Sequence, residues 1–510
     1  MSASQEKKKR RELRAQGIDK KQERKTKTLK EKKREKRIKT AVTVGVILLL
    51  VVLVVFNSSL FYTVMAAVKI GDWNFTAAEF NYYYNSILNS IYNSYYQQFG
   101  EYASMLLDIR KPLSKQQYTE GVTWEEYIET QAMEKMKSVA MLVTAAENEG
   151  YVLNQDAEDE IQNIMTDYKA ASTQSGFPGL DSFLKSNFGK GVNEKLLRKL
   201  VRWEVTASYY QKELLDRLEY THEELDGKYD ENASEYNLIT YCRYYVDGSA
   251  NMEEGLDETT AMNEAFKIAD TIKAGRTEEA FADLVMQYVP EERREEYSEP
   301  DALLRKNISP SSLNDVYREW LTSPERKYGD TEVFESGTGY YVLLYVESND
   351  NSYNLKNFRH ILVKAALDEE TGEVTANSVL MAKKSADDIY AEWQKEPTED
   401  RFIELVAEKS EDPGSNTKGG LYEDVLLGQM VPEIEEWLFS GDRKPGDTEV
   451  LYVSSGSYSG YHIIYFVGNG ERRDRMIARE LLEKEWYEEW IASQEADYQI
   501  DTTIAYWFAK

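Results

Sequence analysis

Two of the chain's three histidines, His360 and His462, fall in short apolar runs that read as strands. In Phe358-Arg359-His360-Ile361-Leu362-Val363 the two-residue period of a strand puts His360 on one face with Phe358 and Leu362. In Tyr461-His462-Ile463-Ile464-Tyr465-Phe466 it puts His462 with Ile464 and Phe466. One histidine so placed is most often a satisfied core residue, but two at the matching ends of one unit favour pairing. The third, His222, sits in the first turn of a predicted helix and reads as solvated. No two of the three share the spacing of helical metal ligands, so a metal site is not expected. The single cysteine, Cys242, excludes a disulfide or a structural cysteine-type zinc site within one chain. It lies in the first strand of a unit without the histidine pair, so a buried thiol is expected there and not the nucleophile of a hydrolase.

The elements that would position the pair belong to a repeat. The segment EWLTSPERKYGDTEV, Glu319 to Val333, lies over EWLFSGDRKPGDTEV, Glu436 to Val450, with 11 of 15 positions identical at an offset of 117. Upstream, Ala269-Asp270-Thr271-Ile272 matches Ala386-Asp387-Asp388-Ile389, and TEEAFADLV from Thr277 matches TEDRFIELV from Thr398. Downstream, GYYVLLYV from Gly339 matches GYHIIYFV from Gly460. Each copy reads strand, helix, short helix, variable loop, helix, strand, with an Asn/Ser/Asp-rich linker near residues 349–354. Residues 236–349 and 355–469 are therefore two copies of one module, and only the second holds the histidine pair. In the first, Tyr244 is expected in place of the first histidine and Tyr341 in place of the second.

Ahead of the modules the chain is helical and aromatic. Thr76-Ala77-Ala78-Glu79 reads as a capping box, and Phe80, Tyr84, Ile87, Leu88, Ile91 and Tyr95 then recur at three and four. Thr123 to Glu126 and Thr221 to Glu224 repeat the start signal, so residues 68–235 are expected to be all-helical. The tyrosine-rich helix reads as a core stripe, with contact to exposed apolar segments of other proteins as the alternative. In residues 470–510, Leu482, Trp486 and Trp490 are spaced by four and need a partner surface. That surface is expected to be the helical region, which makes the two modules an insertion.

The net charge of −28 hides an asymmetry. Residues 1–40 hold 18 Lys/Arg against 6 Asp/Glu, so the remaining residues carry −40. Between them, Ala41 to Phe56 is uncharged, and with the residues up to 67 it is long enough for a membrane-spanning helix, which takes about 20 residues. The basic tail would stay in the cytoplasm and the bulk of the chain outside, as a single-pass cell-membrane protein. Val64-Met65-Ala66 resembles a signal-peptide cleavage site, but a basic tail of this length favours a retained anchor. The same tail beside an apolar span reads as a topology signal and a lipid-surface contact, and no nucleic-acid partner is expected.

Four segments of the second module carry a specific likeness in combination: FRHILV at the first strand, SEDPGSNTKGG in the loop, GQMVPEIEEWLF at the third helix and SGYHIIYF at the last strand. Over about residues 355–469 they resemble the parvulin family of peptidyl-prolyl isomerases. The order of helical region, two modules and closing helix resembles the SurA and PrsA class of extracytoplasmic folding factors. In that class LVTAAENEGYVLNQDAEDEI and YTHEELDGKYDENASEY resemble the chaperone domain. The resemblance implies an α+β multidomain chain: a helical chaperone domain, and two α+β modules with four-stranded antiparallel sheets and no metal or cofactor. It further implies that His360 and His462 are the paired histidines, that Asp412 lies beside them, and that Ser459 holds a hydroxyl position. Leu421 and Met430 would line a proline pocket. Ile434 stands where the family's aromatic usually does, with Trp437 or Phe439 as other sources of a ring, and Gly419-Gly420-Leu421-Tyr422 is a shortened form of the family's glycine turn. The activity implied is isomerisation of X-Pro bonds in unfolded or nascent secreted polypeptides, confined to the second module. The alternative is a non-catalytic holdase.

Overall fold

The computed structural model describes residues 3–15, 20–57, 59–249, 257–297, 299, 301–368, 371–454 and 459–509, with backbone alone for 3, 13, 20–28, 48–57, 59–60 and 508. They fall into two compact units, Met1–Leu218 with Trp486–Lys510, and Glu219–Glu485.

In the first unit the helices Ala77–Phe99, Trp124–Glu149, Gln155–Gln174, Leu180–Phe188 and Glu194–Asp216 share one core. Two of them start in capping boxes, Thr76 with Glu79 and Thr123 with Glu126, each side chain satisfying the other residue's backbone N–H. Phe80, Tyr83 and Tyr84 of the tyrosine-rich helix are buried among Ile128, Met136, Leu197 and Leu200. The chain's end returns to this unit: Trp486, Tyr487 and Trp490 pack on the cluster of Val139, Leu142 and Tyr210, and the Tyr506 ring lies 5.1 Å from Phe80.

This unit is not all-helical. A three-stranded antiparallel sheet runs in the order Ile500–Thr502, Ala66–Ile70, Trp73–Thr76. Gly71 turns the hairpin with φ of 54°, and a Cβ there would stand 2.7 Å from the Asp497 carbonyl oxygen. Ala66 to Ile70 reads in sequence as the end of the apolar run, and its outer partner lies some 430 residues away, beyond any local pattern. The helix Lys20–Asn57 joins the basic tail to the apolar run. Among the described residues no helix is long and apolar enough to cross a membrane, and residues 48–60, on which the expected anchor rests, lie outside the described side chains.

The second unit holds two four-stranded antiparallel sheets of one topology. The first has the order Leu304–Ile308, Leu238–Asp247, Gly339–Asn349, Thr331–Ser336; the second has Leu421–Val425, Asn354–Lys364, Gly460–Arg472, Thr448–Val453. In the second module, strand alternation sends Ile361, Val363, Ile463 and Tyr465 against the helices Ala376–Trp393 and Glu399–Lys409. Phe358, Ile464 and Phe466 go to the other face, against Pro432–Phe439. The edge strands even share an irregularity, with Asn307 at φ 51° and Asp424 at φ 50°, 117 residues apart. The helix His222–Tyr236 belongs to this unit, not to the helical one: Leu225 and Tyr229 form a small core with Ile477 and Ala478, and Arg475 pairs with Asp226 at 2.8 Å. The linker between the modules is pinned there too. Buried Asn351 donates from Nδ2 to the Tyr229 hydroxyl at 2.7 Å and the Tyr236 carbonyl at 2.8 Å.

Candidate active site

The two histidines meet because their strands are antiparallel neighbours. His360 lies opposite Ile464 and His462 opposite Leu362, which makes the imidazoles diagonal neighbours on one face. Their Nδ1 atoms are 3.0 Å apart, both residues are buried, and His360 Nε2 lies 2.9 Å from Asp412 Oδ2.

Asp412 is delivered by the loop after the helix Glu399–Lys409. There Asp412-Pro413-Gly414-Ser415 forms a turn in which the Gly414 N–H donates to Oδ1 at 3.1 Å. The Ser415 hydroxyl donates to Oδ2 at 2.5 Å, and the Tyr422 hydroxyl reaches the same oxygen at 3.3 Å. The His360 contact first, and then these donors, hold the Asp412 carboxyl far below the usual carboxylate range against the opposing effect of burial. His462 is shifted down to about 4, by burial first and by the neighbouring His360 second, against an opposing pull from Asp412 and Glu433. His462 is therefore uncharged at neutral pH. When both rings are neutral, the ionised carboxylate takes the His360 Nε2–H, His360 Nδ1 becomes an acceptor, and His462 must donate from Nδ1. The His462 Nε2 is then left with a bare lone pair.

The backbone entering the edge strand comes close to His360 because residue 420 is glycine. The His360 N–H donates to the Gly420 carbonyl at 3.0 Å, and a Cβ on Gly420 would stand 2.5 Å from the His360 carbonyl oxygen. Gly420 also sits at φ 73°, which side chains other than hydrogen resist.

Beside the histidines lies an apolar cluster. Its floor is Phe358, Ile434, Trp437, Leu438, Ile464 and Phe466, all buried, and its half-exposed lip is Tyr422, Met430, Val431, Phe439 and Leu451. Of the residues named from sequence, Met430, Ile434 and Phe439 stand here. Leu421 does not: it pairs with Arg359, one residue off the histidine face, and alternation turns it away. Its neighbour Tyr422 takes that place, stacked on Phe358 at 5.3 Å and edge-on to His360 at 5.3 Å. The Ser459 carbonyl accepts from the Ala365 N–H at 2.9 Å, and among the described residues its hydroxyl bonds neither histidine; residues 455–458 lie outside the description. Sequence reading missed Ser415 and Tyr422. The Asp-Pro-Gly-Ser turn signal and the parity of the edge strand would have found them.

The first module carries a different set at the same places. Arg243, not Tyr244, occupies the position of His360, because Arg243 lies opposite Leu343 as His360 lies opposite Ile464. Tyr244 is on the other face, against Tyr297. Tyr341 matches His462, Arg305 matches Tyr422, and Tyr317 matches Ile434. Cys242 is buried, and burial pushes its thiol up to about 12, as suits an inert core residue.

Residues 360–468 match the family model of the PPIC-type PPIASE domain, the rotamase family. The chain carries a parvulin-type domain. The matched stretch of this PPIC-type domain takes in His360, Asp412, Met430 and His462, and it leaves out the first module. A solved structure reported for two structurally related SurA-like chaperones of the human pathogen Campylobacter jejuni is 13% identical, with 71% of this chain and 91% of that chain covered. Its TM-score of 0.18 carries no weight for the arrangement of the whole chain. No curated relative matches the chain.

Proposed function

We propose that the chain is a membrane-anchored extracytoplasmic folding factor whose second module catalyses cis-trans isomerisation of X-Pro bonds in secreted polypeptides. The observation that carries this reading is the 3.0 Å contact of His360 with His462, anchored by Asp412 and set beside an apolar cluster that includes Met430. The barrier to turning an X-Pro bond is about 18 to 20 kcal/mol and rests on amide resonance. An apolar site that holds the proline ring, with hydrogen-bonding groups fixed beside the twisted amide, lowers that barrier without a covalent step or a cofactor. The uncatalysed reaction takes roughly tens to hundreds of seconds, slow enough to limit folding. The basic residues 1–40 and the apolar residues 41–56 support a cytoplasmic tail and a single membrane span, with the PPIC-type domain outside.

The test is proline-limited refolding of a substrate protein with the full-length chain. Acceleration is expected, and His360→Ala with His462→Ala should remove it. No acceleration by the unaltered chain, under conditions where a known isomerase accelerates, would end the enzymatic reading.

A holdase activity is the second reading. It is favoured by exposed apolar residues after the tyrosine-rich helix, Tyr102 at 70% and Met105 at 80% exposure with Leu106 and Ile109 beside them. Suppression of aggregation should then survive the double histidine substitution and fall in Tyr102→Ser with Met105→Ser. Loss of suppression in the histidine variant counts against it.

A further inference from the structure

Where the second module has its histidine pair and Tyr422, the first has two arginines and a tyrosine, and among the described residues neither arginine forms an ion pair. Arg243 stands at the His360 position and Arg305, on the adjacent edge strand, at the Tyr422 position. The Arg243 N–H bonds the Leu303 carbonyl at 3.0 Å, and Arg305 lies opposite Tyr241, which brings both side chains to one face. Arg243 donates from Nη1 to the Tyr317 hydroxyl at 3.1 Å, and its guanidinium lies 5.6 Å from the centre of the Tyr341 ring. Among the described residues Arg305 bonds the backbone carbonyls of Ala302 and Leu304, at 3.1 and 3.0 Å, and no side chain. Both arginines are half-buried, and among the described residues neither forms an ion pair.

Half-buried guanidinium groups are ordinarily matched by a carboxylate, because each leaves water and keeps five N–H donors to satisfy. Here the surrounding side chains are tyrosines, which contact a cation through ring face and hydroxyl but do not neutralise it. The rest of the chain outside residues 1–40 is strongly acidic, so two half-buried arginines that form no ion pair among the described residues stand out from their background. From this we infer that the first module binds a carboxylate of a polypeptide, either an Asp/Glu side chain or a free C-terminus. The forked donors of Arg243 and Arg305 would take the anion, and Tyr241, Tyr317 and Tyr341 would hold the flanking chain. The inference deepens the reading of this chain as one that handles unfolded polypeptides, and gives the module without histidines a selectivity of its own.

The experiment measures fluorescence anisotropy of labelled peptides with the full-length chain. The probes are an end-blocked peptide with one glutamate, the same peptide with glutamine, and the glutamine peptide with a free C-terminal carboxylate. One or both carboxylate peptides should bind about tenfold more tightly than the neutral one, with the advantage shrinking as salt is raised. Which of the two is preferred distinguishes side chain from terminus. Arg243→Gln and Arg305→Gln should each erase most of the advantage, and Arg243→Lys should keep part of it. Among the described residues Arg305 bonds backbone carbonyls and no side chain, so Arg305→Gln decides the matter if Arg243→Gln unfolds the module by circular dichroism. Equal binding of all three peptides, or an advantage unchanged in Arg305→Gln, overturns the proposal, as does displacement by inorganic phosphate in the absence of any preference for glutamate over glutamine. None of these readouts depends on turnover in the second module, so a failed refolding assay and a failed binding assay remain distinguishable.

Discussion

The two modules differ almost wholly in what they place on one face of a shared frame. Strand order, register and the left-handed residues Asn307 and Asp424 coincide. Even the hydrogen bond that ties the edge strand to the centre recurs, His360 N–H to Gly420 in one and Arg243 N–H to Leu303 in the other, both at 3.0 Å. In the second module that face holds interlocked acceptors and donors: His462, His360, the Asp412 carboxylate, Ser415 and Tyr422. In the first it holds two cations and three tyrosines. The frame therefore sets the position of a functional residue without setting its chemistry, and fold likeness alone assigns no activity to the first copy.

Giving the second module the side chains of the first breaks the comparison most sharply. His360→Arg with His462→Tyr should lower kcat/KM for X-Pro isomerisation between about a hundredfold and a thousandfold, the scale seen when positioned hydrogen-bonding groups are removed. Hydrogen exchange of residues 354–364 should stay protected, since the first module folds with those residues. Turnover within about threefold of the unaltered chain would sink the proposed role of the pair.

Acid should separate the modules next. The His462 proton affinity is lowered on folding from 6.5 to about 4, so the unfolded chain binds the proton more tightly and the folded state loses stability as pH falls through that window. The contribution is fully present above about pH 6.5 and should drop by about 2 kcal/mol between about pH 7 and 5. Opening of the strand Gly460–Arg472, followed by hydrogen exchange, should show this loss, while the strand Gly339–Asn349 should not, because residues 236–349 contain no histidine. Parallel losses in both strands would mean that His462 is not the group responsible.

Much of this contrast was legible in the sequence, and where it was not the reasons are physical. The repeat and the pairing of His360 with His462 follow from identical residues at a fixed offset and from strand parity. The first module's counterpart was misjudged by one residue, Tyr244 for Arg243, and one residue is enough to change the face of a strand. Leu421 for Tyr422 is the same slip. The strand Ile500–Thr502 was out of reach because its pairing with Ala66–Ile70 is set by tertiary packing, and the assignment of His222–Tyr236 to the second unit depends on contacts with Ile477 that no local pattern announces. Ser415 was missed because a buried hydroxyl carries no periodicity.

Asp412→Asn tests whether the carboxylate does more than fill space. The amide keeps one acceptor oxygen but replaces the other with a donor, which faces the Ser415 and Tyr422 hydroxyls or the Gly414 N–H. A loss of about 1.5 kcal/mol in the second module is expected from denaturant unfolding followed by hydrogen exchange at residues 354–364. Turnover should fall because His360 no longer has a fixed tautomer. Unchanged stability with unchanged turnover would show that the histidines are held by their strands alone.

The smallest effect bears on a position where the first module has an aromatic and the second an aliphatic residue, Tyr317 against Ile434. Ile434 is buried in the floor of the apolar cluster, whereas the Tyr317 hydroxyl at the matching place accepts from Arg243. Ile434→Tyr would bring a hydroxyl toward His360, whose two ring nitrogens are already engaged, so the cleaner probe is Ile434→Phe. A phenyl ring is larger than the space it would enter, and overpacking of this kind costs about 1 kcal/mol, read as a small drop in Tm. If Ile434 only closes the floor, turnover should stay within about threefold, because the lip residues that would meet a proline ring, Tyr422, Met430 and Phe439, are untouched. A rise of about tenfold or more would instead show that the second module lacks an aromatic contact with its substrate. The two modules would then each hold half of what one isomerase site needs, the ring in the first and the histidines in the second.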